Sequence, residues 1–151
     1  MILGIDAFNI REGGVASHLV ELLHAADPPL HGFERVIVWG ARGILSQIAR
    51  RPWLEQVYEP MLDRSLPVRI FWQRFVLDRL ARKAACDLLF FPGSSFSGRF
   101  RPFVTMSQNM LPFEWVEAKR FGPSWMLLKI FLLGLVQSRT FRVSDGVIFL
   151  T

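Results

Sequence analysis

The stretch MILGIDAFNIREGGVASHLVELLHAADPP (Met1–Pro29) decides the predicted fold, because an apolar strand is followed at once by an amphipathic helix. Met1–Ile5 is a short apolar run and predicts a strand that is buried on both faces. A loop over Asn9–Gly14 follows and ends in two glycines. Five apolar residues then recur at helical spacing, namely Val15, Leu19, Leu22, Leu23 and Ala26. A strand and helix in this order predict the first unit of a parallel α/β sheet.

The same alternation continues to the end of the sequence. Helices are predicted at about Ile44–Ala49, from Pro67 to about Ala85, and from about Trp125 to Arg142. Five further apolar strands are predicted at Val36–Trp39, Leu54–Tyr58, Leu88–Phe91, Phe103–Met106 and Gly146–Leu150. We therefore predict one Rossmann-like α/β domain over residues 1–151, with a doubly wound, mainly parallel sheet and helices on both faces.

The helix predicted from Pro67 is expected to present a broad buried side to this sheet. The residues on that side are Phe71, Phe75, Leu77, Leu80, Ala81 and Ala84.

Composition narrows the classes of function. Apolar residues make up 51% of the 151 residues, which argues against disorder. The single cysteine, Cys86, excludes a disulfide within the chain and is expected to be a small buried hydrophobe. A net charge of +5 favours anionic partners, whether nucleic acid, acidic lipid or phosphorylated small molecules.

Several common sites are disfavoured by their missing motifs. Neither the dinucleotide fingerprint G-x-G-x-x-G nor the phosphate-binding loop G-x-x-x-x-G-K-[ST] occurs, which argues against a nicotinamide dehydrogenase and a P-loop nucleotidase. The three histidines have no neighbours at metal-ligand spacing, so no metal site is predicted. The apolar run Trp125–Val136 is shorter than the roughly 20 residues that span a membrane, and the N-terminus lacks a signal-peptide pattern.

The predicted binding crevice lies beyond the carboxyl ends of the strands, where ligands bind in open parallel sheets. The loops on that rim are Asn9–Gly14, Gly40–Gly43, Pro92–Gly98 and Ser107–Glu114, and the third contains Ser94 and Ser95. Gly13 and Gly14 open the first helix and either contact a phosphate or sugar or form a tight turn. His18, near the start of the same helix, either reaches this crevice or has a structural role.

Four segments, taken in order, resemble the N-terminal domain of a GT-B glycosyltransferase of the large retaining family 4. They are the glycine pair and helix Gly13–Leu23, the strand segment Cys86–Gly93, the strand and polar loop Arg101–Phe113, and the final strand Arg142–Thr151. The resemblance spans nearly the whole chain and depends on the order of the segments more than on any one of them.

This resemblance implies a set of sugar-contacting residues. Many relatives carry His-Asp at the end of the fifth strand, where this chain has Gln108-Asn109. Glutamine makes hydrogen bonds but is no acid or base near neutral pH, so sugar contact is implied and proton transfer is not; a polar loop cap is the alternative. Glu114 would bind an acceptor hydroxyl or be solvated. The predicted substrate-binding residues are Gly13, Gly14, His18, Ser94, Ser95, Gln108, Asn109 and Glu114, with no catalytic residue in this domain.

The resemblance also implies the role of the domain. It would be the acceptor-side half of an enzyme that transfers a sugar from a nucleotide-sugar donor to a glycan or lipid-linked acceptor. The donor would bind a C-terminal domain absent from this sequence, so the chain alone is expected to hold no cofactor and to be nearly inactive. An ending on a buried strand is consistent with truncation. The alternatives are a non-catalytic module that binds an anionic small molecule and, on charge alone, a nucleic-acid-binding domain, although no nucleic-acid partner is expected.

A basic and aromatic cluster precedes and opens the last predicted helix. Lys119, Arg120, Trp125 and Lys129 belong to it, and such a cluster can lie in an anionic membrane interface. The alternative is that the helix is buried in the core. We therefore expect a cytoplasmic location, with peripheral attachment to the inner face of the cell membrane as an option left open.

Overall fold

One parallel sheet organises the chain. The computed structural model describes residues 1–11, 13–107 and 125–150. In that part of the chain the strands are β1 (Ile2–Asp6), β2 (Arg35–Gly40), β3 (Leu54–Tyr58), β4 (Leu88–Phe91), β5 (Phe103–Ser107) and β6 (Gly146–Phe149). Their order across the sheet is β3-β2-β1-β4-β5-β6, and every neighbouring pair is parallel. The predicted Rossmann-like α/β fold is confirmed.

Helices connect most of these strands. They are α1 (Gly14–Ala25), α2 (Arg42–Leu45), α3 (Leu66–Phe75), α4 (Leu77–Lys83) and α5 (Trp125–Val143), and short 3-10 helices lie at Pro28–His31 and Pro60–Asp63. Proline at the first turn of α3 is tolerated because its missing N–H would have no partner within the helix. The second helix ends at Leu45, several residues before the predicted end.

The two faces of the sheet carry separate apolar clusters, because side chains alternate along each strand. On one face, Val36 and Val38 pack with α1 and α2 through Leu19, Leu23 and Ile44. On the other face a larger aromatic cluster forms beneath α3 and α4, from Ile37, Trp39, Trp72, Leu77, Leu89, Phe91 and Phe103. Burial of apolar surface on both faces stabilises the packing of the helices against the sheet.

The long helix predicted from Pro67 is divided in two, and part of its predicted buried side is wrong. The break falls at Val76, which ends α3 and precedes α4. Leu77 and Ala81 are buried as predicted, but Phe71 and Phe75 are 53% and 57% exposed. Trp72 and Gln73 point inward instead. Phe71 and Phe75 are each two residues from Gln73. Because each residue turns the helix by about 100°, they point to the side opposite Gln73.

The connection between β4 and β5 contains no helix among its residues 92–102. Its middle is fixed by Phe96, whose ring lies 4.0 Å from that of Phe91 and 4.5 Å from that of Phe103, measured between centroids. The Phe96 backbone N–H donates to Thr140 Oγ1 of α5 at 3.0 Å. The connection is therefore held between the sheet and α5, beside the carboxyl end of β4.

Cys86 packs beside this second cluster, in line with the expected small hydrophobe. Burial raises the pKa of its thiol to about 11, so the thiol is neutral at physiological pH.

Candidate ligand-binding site

A crevice lies at the point in the sheet where the chain connections diverge. Neighbouring strands β1 and β4 lead away in opposite directions, β1 to β2 and β4 to β5. Such a point leaves a gap beyond the strand ends and is the usual ligand site of open α/β sheets. A cavity of about 290 Å³ occupies it here, and its polar lining comes from Asp6, Asn9, Ser94, Ser95 and Gln137. We call this cavity the switch-point crevice.

Asp6, the last residue of β1, is buried at the base of the crevice and only 2% exposed. Its Oδ1 accepts a hydrogen bond from the backbone N–H of Phe8 at 2.8 Å, and its Oδ2 accepts one from Gln73 Nε2 at 2.6 Å. Burial raises the pKa of this carboxyl to about 7, although both hydrogen bonds act in the opposite direction. Asp6 therefore changes its charge near neutral pH.

Gln73 joins Asp6 to the loop after β4. Because its Nε2 donates to Asp6, its Oε1 is left to accept. It does so twice, from the backbone N–H of Ser97 at 2.9 Å and from Ser97 Oγ at 2.7 Å. The chain Asp6–Gln73–Ser97 thus ties the end of β1, helix α3 and the β4–β5 connection together.

Gln137 of α5 reaches the crevice from the opposite side and is 3% exposed. Its Nε2 lies 2.6 Å from Ser94 Oγ, while its Oε1 has no hydrogen-bond partner among the residues that the structure describes. A serine hydroxyl donates or accepts, so exchange of the two amide atoms would still leave one without a partner. An unsatisfied buried polar atom costs about 1–3 kcal/mol. A ligand that hydrogen-bonds here would remove that cost.

The rim of the crevice is positively charged. Arg69 Nη1 donates to Asn9 Oδ1 at 2.7 Å, which leaves the Asn9 amide nitrogen as a donor for a ligand. Arg11 lies beside it and donates to the carbonyl oxygens of Leu62 and Arg64. Burial, and then the charge of Arg11, lowers the pKa of Arg69. The crevice therefore offers both donors and acceptors beside a cationic edge.

The predicted site residues fall into three groups. Ser94 and Ser95 line the crevice. Gly13, Gly14 and His18 are not among the described residues that line it. Gly13 has φ +81°, a conformation that favours glycine, and an added Cβ at either glycine would meet no atom of the described residues within 4 Å. Predicted contacts at Gln108, Asn109 and Glu114 lie outside the described residues.

Three polar residues of the site were not predicted: Asp6, Gln73 and Gln137. Asp6 carried a usable signal, because it ends an apolar strand at the edge where ligands bind. Gln137 is a polar residue near the end of a long apolar run, which indicates a specific partner. Gln73 lies between aromatic residues on a helix, and the sequence gives no sign that it is buried.

Helix α5 is buried on a polar side and exposed on an apolar one. Its buried residues are Ile130, Gly134, Gln137 and Thr140. Trp125, Met126, Leu128 and Phe131 are all exposed, and Lys129 Nζ lies 5.9 Å from the centroid of the Trp125 ring. Lys119 and Arg120 of the predicted membrane-surface cluster lie outside the described residues. Within the described ranges, every helix is too short or too polar to cross a bilayer.

Residues 1–11, 13–107 and 125–150 contain no group of three or more His, Cys, Asp or Glu side chains that could hold a metal ion.

Comparison with known proteins found no family model, no curated protein and no solved structure that matches this chain. The resemblance to GT-B glycosyltransferases therefore stays a prediction from the sequence.

Proposed function

We propose that this chain is the acceptor-side domain of a glycosyltransferase, which transfers a sugar from a nucleotide-sugar donor to a glycan or lipid-linked acceptor. The observation that carries the proposal is the switch-point crevice with its buried Gln137 Oε1, which has no hydrogen-bond partner among the described residues. The Rossmann-like fold agrees with the GT-B resemblance, as does the position of the crevice at the carboxyl ends of β1 and β4.

The chemistry of the crevice suits a polyhydroxylated ligand. Each sugar hydroxyl donates one hydrogen bond and accepts others, so its site needs donors and acceptors in close succession. Gln137 Oε1 accepts, the Asn9 amide nitrogen donates, and the Ser94 and Ser95 hydroxyls do either. Phe8 and Phe91 supply apolar surface for the C–H faces of a sugar ring. The volume, about 290 Å³, lies just below the usual range of small-molecule pockets, about 300–1,000 Å³.

In this proposal the residues of the chain bind and orient the acceptor and perform no covalent step. Asp6 holds Gln73, and through it the loop that carries Ser94 and Ser95, in place. The nucleotide-sugar donor, and the groups that stabilise the charge on its leaving diphosphate, would come from a second domain.

The exposed apolar side of α5 supports attachment to a membrane surface, where a lipid-linked acceptor would be found. Trp125 and Phe131 with Lys129 resemble the aromatic and basic faces of interfacial helices. The net charge of +5 is complementary to anionic lipids.

A saccharide titration followed by NMR tests the crevice. Gln137→Leu removes the free acceptor and is expected to weaken saccharide binding roughly tenfold, the effect of about 1.4 kcal/mol. Gln47→Leu is the matched control, since Gln47 is exposed just after α2, does not line the crevice, and its side chain donates only to the Gly43 carbonyl oxygen, at 3.0 Å. Equal saccharide affinity of the native chain and Gln137→Leu would show that the saccharide does not bind in the switch-point crevice.

A transfer assay separates the enzyme from a non-catalytic binding module. A protein in which this chain is followed by the nucleotide-sugar-binding domain that the proposal requires is incubated with a panel of nucleotide sugars and with the saccharide that the titration selects. Transfer that depends on Gln137 supports the glycosyltransferase. Saccharide binding without transfer from any donor supports the module.

A further inference from the structure

A second cavity, of about 700 Å³, lies between α3, the β4–β5 connection and the C-terminal half of α5. It has no lining residue in common with the switch-point crevice. Four positively charged side chains line it, those of Arg74, Arg99, Arg101 and Arg139, and the last three are exposed to solvent. We call it the arginine cavity.

Little negative charge balances these four groups. Arg101 Nη1 forms an ion pair with Asp145 Oδ2 at 3.2 Å, and that oxygen also accepts the backbone N–H of Phe103. Arg74 Nη1 donates to the neutral carbonyl of Ser97 at 3.0 Å. Arg99 and Arg139 have no hydrogen bond or ion pair with any residue that the structure describes. One carboxylate against four guanidiniums leaves a marked excess of positive charge in one concave space.

Arginines gathered in this way repel one another unless an anion lies between them. Guanidinium is always charged, and its planar fork matches the oxygens of a phosphate in pairs. A phosphate monoester carries about 1.5–2 negative charges and three acceptor oxygens at neutral pH, so it neutralises more of the excess than a carboxylate does. A phosphoryl group is therefore the best match to the cavity.

The apolar part of the lining describes the rest of the ligand. Ile70, Phe96 and Val136 line the arginine cavity and also a neighbouring, mainly apolar groove of about 430 Å³ between α3 and α5. The far end of that groove shares Ser95 and Leu133 with the switch-point crevice.

From these contacts we infer that the arginine cavity binds the phosphoryl group of an ester whose apolar chain lies along the groove between α3 and α5. The inference goes beyond the proposed function and does not depend on it. The ester is either the headgroup of a membrane lipid or a soluble phosphate ester.

The test uses hexyl phosphate, with inorganic phosphate for comparison, in a titration of the chain by calorimetry or NMR. Arg99→Gln combined with Arg139→Gln is expected to weaken hexyl phosphate binding roughly tenfold or more, since charge-assisted hydrogen bonds are lost. Arg50→Gln combined with Arg79→Gln removes the same charge from exposed positions outside the cavity and is expected to leave binding unchanged. Tighter binding of hexyl phosphate than of inorganic phosphate supports the groove.

Vesicles separate the two sources. The native chain is floated with phosphatidic acid vesicles and, for comparison, with phosphatidylcholine vesicles. If it binds only the phosphatidic acid vesicles, and Arg99→Gln with Arg139→Gln abolishes that binding, the ligand is a lipid headgroup. Binding of hexyl phosphate without such flotation assigns a soluble ester. The inference is overturned if neither hexyl phosphate nor phosphatidic acid binds the native chain, or if both double variants lose binding equally. The variant Arg99→Gln with Arg139→Gln is expected to bind saccharide as the native chain does. Loss of phosphate binding and loss of saccharide binding therefore test the two proposals separately.

Discussion

Gln73 Nε2 lies 2.6 Å from Asp6 Oδ2 in the interior, and this hydrogen bond joins α3 to the end of β1. Replacing Gln73 by Leu leaves the buried carboxyl with the Phe8 N–H as its remaining partner, and leaves the Ser97 N–H and hydroxyl without theirs. We expect the free energy of unfolding to fall by about 1–3 kcal/mol. Urea denaturation measures this change, and Gln47→Leu, at an exposed position just after α2, is expected to change the free energy of unfolding by less than about 0.5 kcal/mol. A fall of equal size in both variants would contradict this account of Gln73.

The pKa of Asp6 predicts how stability depends on pH. The folded value of about 7 lies above the ordinary value near 3.8, so between these two pH values the folded state binds the proton and the unfolded state does not. The contribution of Asp6 to the free energy of unfolding is therefore greatest below about pH 4, and it is lost as the pH rises through about 7. The loss is of the order of 4 kcal/mol, at about 1.4 kcal/mol per pKa unit.

Asp6→Asn isolates this effect, because it removes the titrating group and keeps its shape. The unfolding free energies of the native chain and Asp6→Asn are measured at pH 5 and pH 7.5. Relative to Asp6→Asn, the native chain is expected to be less stable at pH 7.5 than at pH 5. A difference that is constant across this range would show that Asp6 is ionised in the fold at both pH values.

Gly4 is required by close packing at the centre of the sheet. A Cβ at this position would lie 2.8 Å from Trp39 Cζ3 and would also overlap Leu89 Cδ2. We expect Gly4→Ala to destabilise the fold by about 1–3 kcal/mol, since neighbouring buried side chains must leave their rotamers. Gly43→Ala is the control, because a Cβ there meets no described atom within 4 Å and alanine favours the helix. Thermal unfolding of the two variants should shift in opposite directions.

Exposed aromatic residues of α5 give a test of membrane attachment. Trp125→Ser with Phe131→Ser is expected to reduce co-sedimentation with anionic vesicles several-fold, while unfolding changes little because both side chains are exposed. Leu30→Ser, at an exposed leucine in another part of the chain, should leave vesicle binding unchanged. Absence of binding by the native chain at low salt would end the idea, because charge attraction is then at its strongest.

The strands were predictable to within one residue, and for β1, β2, β4 and β5 the physical reason is that most of their residues are buried. Arg35–Gly40, for example, contains the predicted apolar run Val36–Trp39. The edge strands β3 and β6 are more exposed than predicted, and Ile148 and Phe149 of β6 are 42% and 53% exposed. The break at Val76 was not predictable, because neither glycine nor proline marks it. The outward turn of Phe71 was missed for a related reason: the partner that draws Gln73 inward, Asp6, lies far away in the sequence.

The candidate site was predictable where it follows strands and not where it depends on helix orientation. Ser94 and Ser95 lie in a loop directly after β4, so the position of that strand in a parallel sheet is enough to place them. Gln137 and Arg139 lie on α5, whose apolar composition gives no clear buried side. Only the packing of α5 on the β4–β5 connection decides which of its polar residues turn inward.

The anchoring of Phe96 beside the rings of Phe91 and Phe103 divides the β4–β5 connection into two segments, each of which lines a different cavity. Ser94 and Ser95 precede the anchor, and Arg99 and Arg101 follow it. Substitutions in one segment are therefore expected to change the lining of one cavity, while the packing of Phe96 keeps the backbone of the other segment in place.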